Sequence, residues 1–235
     1  MTSACQSAAA TLAPASTPTG TPLPAPEPVT VTPSLIPTQA FSPTPPPRFF
    51  TEEFDNDLSA WTSFQTNDDS APPPGLENGW LIFNIPTPYT WIYSVYNAQT
   101  YQGTRIDASF EARGAQPQSI GLICNYSETG GWYEFNISTD GAYNILYGQW
   151  LAQRLAQYTP IVNDTSEYLK PGETKYELGL GCTENTLWLY INEKLFRKLD
   201  VKRFGINEGK VGIAVSSFEN PHVVVGFDWV KISEP

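Results

Sequence analysis

Residues 119–147 constrain this chain more than any other stretch. They read S-I-G-L-I-C-N-Y-S-E-T-G-G-W-Y-E-F-N-I-S-T-D-G-A-Y-N-I-L-Y. Apolar and polar residues alternate, and two turn signals interrupt the alternation: Glu128-Thr129-Gly130-Gly131 and Thr139-Asp140-Gly141. Gly-Gly and Asp-Gly between alternating runs mark tight hairpins, because the favoured hairpin turns need positive φ. The segment is therefore read as three consecutive antiparallel strands. In the middle strand Tyr133, Phe135 and Ile137 share one face, and Trp132, Glu134 and Asn136 share the other. The first face asks for a core. The second sets an aromatic ring beside polar groups.

The remaining chain continues that pattern. Thr104 to Ala112 alternates cleanly, with Ile106, Ala108, Phe110 and Ala112 on one face and Arg105, Asp107, Ser109 and Glu111 on the other. This is the signature of an antiparallel strand with one solvated side. Further strands are expected at 49–54, 80–85, 91–96, 175–182, 186–191, 194–199, 209–216 and 223–232. Residues 65–79, with Pro72-Pro73-Pro74-Gly75, read as a long polar loop that ends in an Asn78-Gly79 turn. Residues 148–170 are harder, and a strand or an irregular crossover is preferred over a helix there. Short strands at intervals of about 8–12 residues, with turn signals between them, indicate an all-β, two-sheet antiparallel jelly-roll sandwich.

The N-terminal part has another character. Over half of the prolines precede Arg48, and Glu27 is the only charged side chain before it. Such a stretch buries too little apolar surface to offset chain entropy. Residues 1–48 are expected to be a disordered Pro/Thr/Ser/Ala-rich stalk, partly polyproline II. Residues 49–235 form the domain, and about 185 residues suffice for one sizeable β core. The formal charge of −11 argues against nucleic acid and anionic membrane surfaces, which need basic patches. No apolar run approaches the roughly 18–20 residues of a membrane-spanning helix.

Three cysteines are present: Cys5, Cys124 and Cys182. Cys124 and Cys182 lie in strand-like runs. They form a disulfide if the protein is exported, or else sit as two buried free thiols. The run Thr2-Ser3-Ala4-Cys5 resembles the tail of a bacterial lipoprotein signal, with Thr2 where Leu is usual. That resemblance implies lipidation at Cys5 and an extracellular, cell-surface location in a bacterium, with the membrane reached only through the lipid anchor.

A family resemblance rests on three groups of residues. Gly121 to Tyr126 followed by Trp132 to Gly141 looks like a bacterial form of the concanavalin A-like lectin/glucanase sandwich. Leu187-Trp188-Leu189-Tyr190-Ile191-Asn192-Glu193 is similar to the hairpin of laminin G-like jelly rolls, with Glu193 where Gly is usual. Phe54-Asp55 and Phe227-Asp228-Trp229 resemble the paired terminal strands of the group, which includes the domain of 3-keto-disaccharide hydrolases. The resemblance implies the fold. Its members include lectins, hydrolases and adhesion modules.

A retaining glycosidase of this fold is expected to carry carboxylates in a Glu-x-Asp-x-x-Glu pattern, two of them about 5–5.5 Å apart across the bond. No such cluster is evident. Asp107 and Glu111 share a face but lie about 13 Å apart along a strand. His222, the only histidine, stands beside Pro221 at the start of a strand and reads as an edge residue. Calcium is one reading of Asp55 and Asp57, with Asp228 joining if the terminal strands pair; a polar turn is the other. No further cofactor is implied.

The sequence thus predicts a non-catalytic glycan-binding or adhesion domain. Trp132, Trp188 and Tyr190 would stack on sugar rings while Asn125, Glu134 and Asn136 take hydroxyls. Asn125, Asn136 and Asn163 also stand in N-x-Ser/Thr sequons, without default meaning in a bacterium. The alternatives are a structural subunit of a surface layer or filament, self-assembling through strand edges, and a glycoside-active hydrolase of the keto-sugar type.

Overall fold

The computed structural model describes residues 20, 46–67, 70–114, 118–153 and 155–235. The stalk and its Cys5 lie outside the described residues, apart from Gly20 and 46–48. The strands in chain order are β1 (Phe50–Glu52), β2 (Trp61–Thr66), β3 (Gly75–Glu77), β4 (Trp80–Ile85), β5 (Trp91–Tyr96), β6 (Thr104–Ala112), β7 (Gln118–Tyr126) and β8 (Gly131–Ser138). They continue as β9 (Ala142–Ala152), β10 (Leu155–Thr165), β11 (Lys175–Cys182), β12 (Thr186–Ile191), β13 (Lys194–Asp200), β14 (Lys210–Ser217) and β15 (Val223–Ser233).

They form two antiparallel sheets. The eight-stranded sheet runs β13-β12-β11-β6-β15-β4-β3, with β1 on β15, and the seven-stranded sheet runs β10-β9-β8-β7-β14-β5-β2. The meander read from the sequence is β7-β8-β9, with Phe135 opposite both Leu122 and Ile145. The terminal strands pair as expected, Thr51 facing Lys231. Between the sheets lies the main core, where Tyr133, Phe135 and Ile137 meet Leu178, Leu189 and Phe227. Burial in β6 alternates without a break, because every second side chain enters that core.

Cys124 on β7 and Cys182 on β11 form a disulfide, their Cα atoms 6.5 Å apart. It ties one sheet to the other through the core. Disulfides persist in oxidising compartments, and this one is consistent with an exported protein.

At 148–170 the strand reading holds over the irregular crossover, and at 65–79 a loop expectation is corrected. Residues 148–170 hold the end of β9 and all of β10, a long hairpin in which Leu155 faces Ala152. Pro160 and the bulge beside it blurred the alternation that marks a strand. The supposed loop at 65–79 holds the end of β2 and all of β3; β3 is a fully exposed three-residue edge, too short to show a period. Its Asn78-Gly79 turn does have positive φ at both residues, as the dipeptide predicts.

Candidate functional site

The outer face of the seven-stranded sheet carries a second, separate apolar cluster. Its centre is Trp132, which is 0% exposed. The indole sits over Gly148 on β9; a Cβ there would lie 2.4 Å from the ring. Glycine in a strand often marks such a close approach. Five rings surround the indole with centroids 5.1–6.1 Å away: Phe64, Tyr93, Tyr126, Trp150 and Tyr158. These are ordinary aromatic packing distances. Phe64 also stacks on Tyr93 at 4.6 Å and on Tyr126 at 5.2 Å.

Beneath the rings runs a buried polar network. Glu134 Oε2 accepts from Trp132 Nε1 and from the Tyr93 hydroxyl, each at 3.0 Å, and Oε1 accepts from Asn136 Nδ2 at 2.7 Å. Asn136 Nδ2 also donates to Asn144 Oδ1. The Tyr93 hydroxyl meets that of Tyr158 at 2.9 Å, and Tyr158 meets Thr66 Oγ1 at 2.9 Å. Thr66 is on β2 and Tyr158 on β10, the two ends of the strand order. The sheet therefore curls until side chains from its opposite edges touch over its middle. Burial is the largest influence on Glu134 and raises its carboxyl above the usual range, against the three hydrogen bonds that lower it. The Tyr93 hydroxyl is pushed well up, first by burial and then by the Glu134 charge.

Trp132, Glu134 and Asn136 thus share the outward face that the alternation assigns them, and that face is covered. None is open to a ligand in this arrangement. The expectation that they offer a sugar platform is corrected: rings from β2, β9 and β10 roof them. Asn125, next to last in β7, has φ 53° and donates from Nδ2 to the Ile206 carbonyl; it is buried too. Trp188 and Tyr190 lie on the outer face of the other sheet, so the six residues are not one site. Outward-facing residues of two opposed sheets point in opposite directions. Their rings are moreover covered by cations, Lys198 Nζ 4.1 Å from the Trp188 centroid and the Arg105 guanidinium 3.8 Å from that of Tyr190.

The ligand-accessible part of the aromatic face is its margin. A hollow of about 450 Å³ is lined by Phe64, Tyr126 and Trp150 with Glu128, Thr129 and Gln153. Phe64 and Trp150 are half-buried. Leu151, on the rim at the hairpin tip, is 59% exposed. Burial, then the Glu128 charge, pushes the Tyr126 hydroxyl up to about 12. These residues were missed in the sequence, where Phe64 falls beside the supposed loop and Trp150 within the stretch read as a strand or an irregular crossover. Gly148 opposite Trp132 was the available signal of close ring packing.

The other candidate chemistry is dispersed. Asp107 is clamped by Arg105 through Nε at 2.8 and 2.9 Å and Nη2 at 2.6 Å. Glu111 pairs with Arg113 and Lys175. Asp57 accepts from the Ser59 backbone N–H at 2.7 Å, closing a polar turn. Asp55, Asp57 and Asp228 are not gathered: among the described residues no group of three or more His, Cys, Asp or Glu is placed to hold a metal ion. His222 is exposed, and its N–H bonds the Ile85 carbonyl.

No family model matches this chain, and no curated protein does. Solved structures do. The β-glucanase of Bacillus licheniformis aligns at 12% identity over 80% of this chain and 98% of its own, with a TM-score of 0.53. A glycoside hydrolase family 16 endo-glucanase from Bacteroides ovatus, solved with G4G3G-2F-DNP, aligns at 13% over 78% and 99%, with a TM-score of 0.55. The κ-carrageenase of Pseudoalteromonas carrageenovora, solved with an oligotetrasaccharide of κ-carrageenan, aligns at 10% over 86% and 99%, also with 0.55. The fold is the concanavalin A-like sandwich of these enzymes.

Proposed function

We propose that this chain is an exported glycan-binding domain without hydrolytic activity, and that it holds its ligand in the aromatic hollow at the margin of the seven-stranded sheet. The observation that carries the reading is the composition of that hollow. Half-buried Phe64 and Trp150 and the edge of Tyr126 provide ring surface for the C–H faces of pyranoses, and Thr129, Gln153 and Glu128 stand beside them for hydroxyls. The solved neighbours include glucanases and a carrageenase in complex with oligosaccharides, which supports a saccharide over other small ligands. Against turnover stands Glu134, buried beneath the rings and held by three donors.

The disulfide supports export. Anchoring through a lipid on Cys5 is part of the same proposal, checked by mass spectrometry of the membrane-extracted protein. Assembly through strand edges is less favoured. The edge strand β10 contains Pro160 and a bulge, and β13, the edge of the other sheet, carries Lys194, Arg197 and Lys198. Both devices deter added strands.

The test is a glycan panel with the full chain and with Trp150→Ala, each checked for folding by its thermal transition. Binding by the parent that the folded variant loses, with no reducing ends released, is the expected result. Binding to no glycan, or measurable cleavage of one, overturns the proposal.

A further inference from the structure

A second hollow of about 290 Å³ adjoins the first and shares with it the wall Tyr126, Glu128 and Thr129. It adds Thr100, Ser127, Glu208, Gly209 and Lys210. Together they make a longer groove around the β7-β8 turn. Among the described residues its charged side chains are Glu128, Glu208 and Lys210. Lys210 is not available as a cation. Its Nζ donates to Asn97 Oδ1 at 2.8 Å and to Glu128 Oε1 at 3.0 Å, and the side chain is only 23% exposed. Glu208 accepts from the neutral amide of Gln102 at 2.9 Å, and among the described residues no ion pair engages it. The other polar groups are hydroxyls and an amide: Thr100, Ser127, Thr129 and Gln153. The whole chain carries a formal −11.

From this lining we infer that the groove discriminates by charge, taking a glycan without anionic substituents and rejecting sulfated or carboxylated polysaccharides. The inference rests on the glycan-binding reading above and names its ligand class. Hydroxyls and amides exchange hydrogen bonds with sugar hydroxyls in both directions. A sulfate or uronate entering the groove must shed water and finds no free cation among the described residues in return, which is costly. It also meets like charge, whose juxtaposition opposes binding.

The experiment compares matched pairs on the full chain: laminarin with its chemically sulfated derivative, and lichenan with its carboxymethyl derivative. The parents should bind about tenfold or more tightly than their anionic derivatives at low ionic strength, and the gap should narrow in high salt as the charges are screened. It should also narrow in Glu128→Gln/Glu208→Gln, which removes the carboxylates and releases Lys210. Equal or tighter binding of the anionic member overturns the inference and leaves the glycan-binding reading standing. A gap indifferent to both salt and the double substitution also overturns it, since bulk and not charge would then be the cause. Failure of every ligand, anionic or not, removes the glycan-binding reading and the inference with it.

Discussion

The two outer faces of the sandwich solve the same problem in opposite ways. Each sets large aromatic rings outside the inter-sheet core. On the eight-stranded sheet the rings stay half-buried and are capped by cations: Arg113 over Trp80, Arg105 over Tyr190, Lys198 over Trp188. Gly179 opposite Asp107 makes the room, since a Cβ there would lie 2.4 Å from the Asp107 carboxylate. On the seven-stranded sheet Gly148 makes room for an indole, and further rings close over it. One face is solvated by charge; the other is dried by curvature. An aromatic residue pointing away from the core is therefore not by that fact a surface residue. What decides is whether the sheet bends far enough for its own edges to cover it.

Trp132→Ala against Trp188→Ala gives the largest expected contrast. The first empties a fully buried site and should cost about 3–5 kcal/mol; the second removes a half-exposed ring and one cation–π contact, and about 1 kcal/mol is expected. Denaturant unfolding of both reads the difference, and equal costs would break the comparison.

Cys124→Ala/Cys182→Ala comes next, at about 2–4 kcal/mol, because the bond closes a long loop between the sheets. As the bond joins the sheets through the core common to both faces, its loss should lower the thermal transition while leaving the Trp150-dependent ligand affinity in place.

Glu134 separates the faces by pH. Its native pKa is raised by burial, so the folded state holds the proton more tightly than the unfolded one. Its contribution to stability is fully present below the ordinary glutamate value, about 4.3, and is lost as pH rises through the native value. Stability of the parent relative to Glu134→Gln should therefore fall from acid toward neutral pH. Glu111 on the other face, whose carboxyl is held down first by its hydrogen bond to Arg113, calls for no such loss. Parallel stability–pH curves for the parent and Glu134→Gln would contradict the buried-acid description.

The smallest effect belongs to the β12-β13 turn of the eight-stranded sheet. Asn192 and Glu193 have φ of 48° and 64°, and Asn192 Oδ1 accepts from the Glu177 N–H at 3.0 Å. Glu193 is a non-glycine residue in a left-handed conformation. Glu193→Gly should raise stability by about 0.5–1 kcal/mol, measured as a higher midpoint of unfolding. A lower midpoint would mean that its side chain contributes more than its backbone conformation costs.

The strands of this fold were legible where alternation is regular and turns carry their own chemistry. The meander β7-β8-β9, β6 and the β3-β4 and β12-β13 turns are read directly from residue order. Illegible were elements without period, three-residue β3 and β2, while β10 with its Pro160 was legible only as a strand or an irregular crossover. The candidate site was half legible. The shared face of Trp132, Glu134 and Asn136 followed from the pleat, but their burial did not, and Trp188 and Tyr190 were joined to them although they point the opposite way.

By itself the sequence determined the all-β class, the register of the central meander, and which side of each clear strand a residue occupies, because these follow from a period of two and local turn preferences. Only the tertiary structure decided what covers each side. The contact that closes the aromatic face, Thr66 to Tyr158, spans 92 residues and joins opposite edges of one sheet. Its existence depends on accumulated twist and curl across seven strands, a quantity that no single segment of the chain encodes.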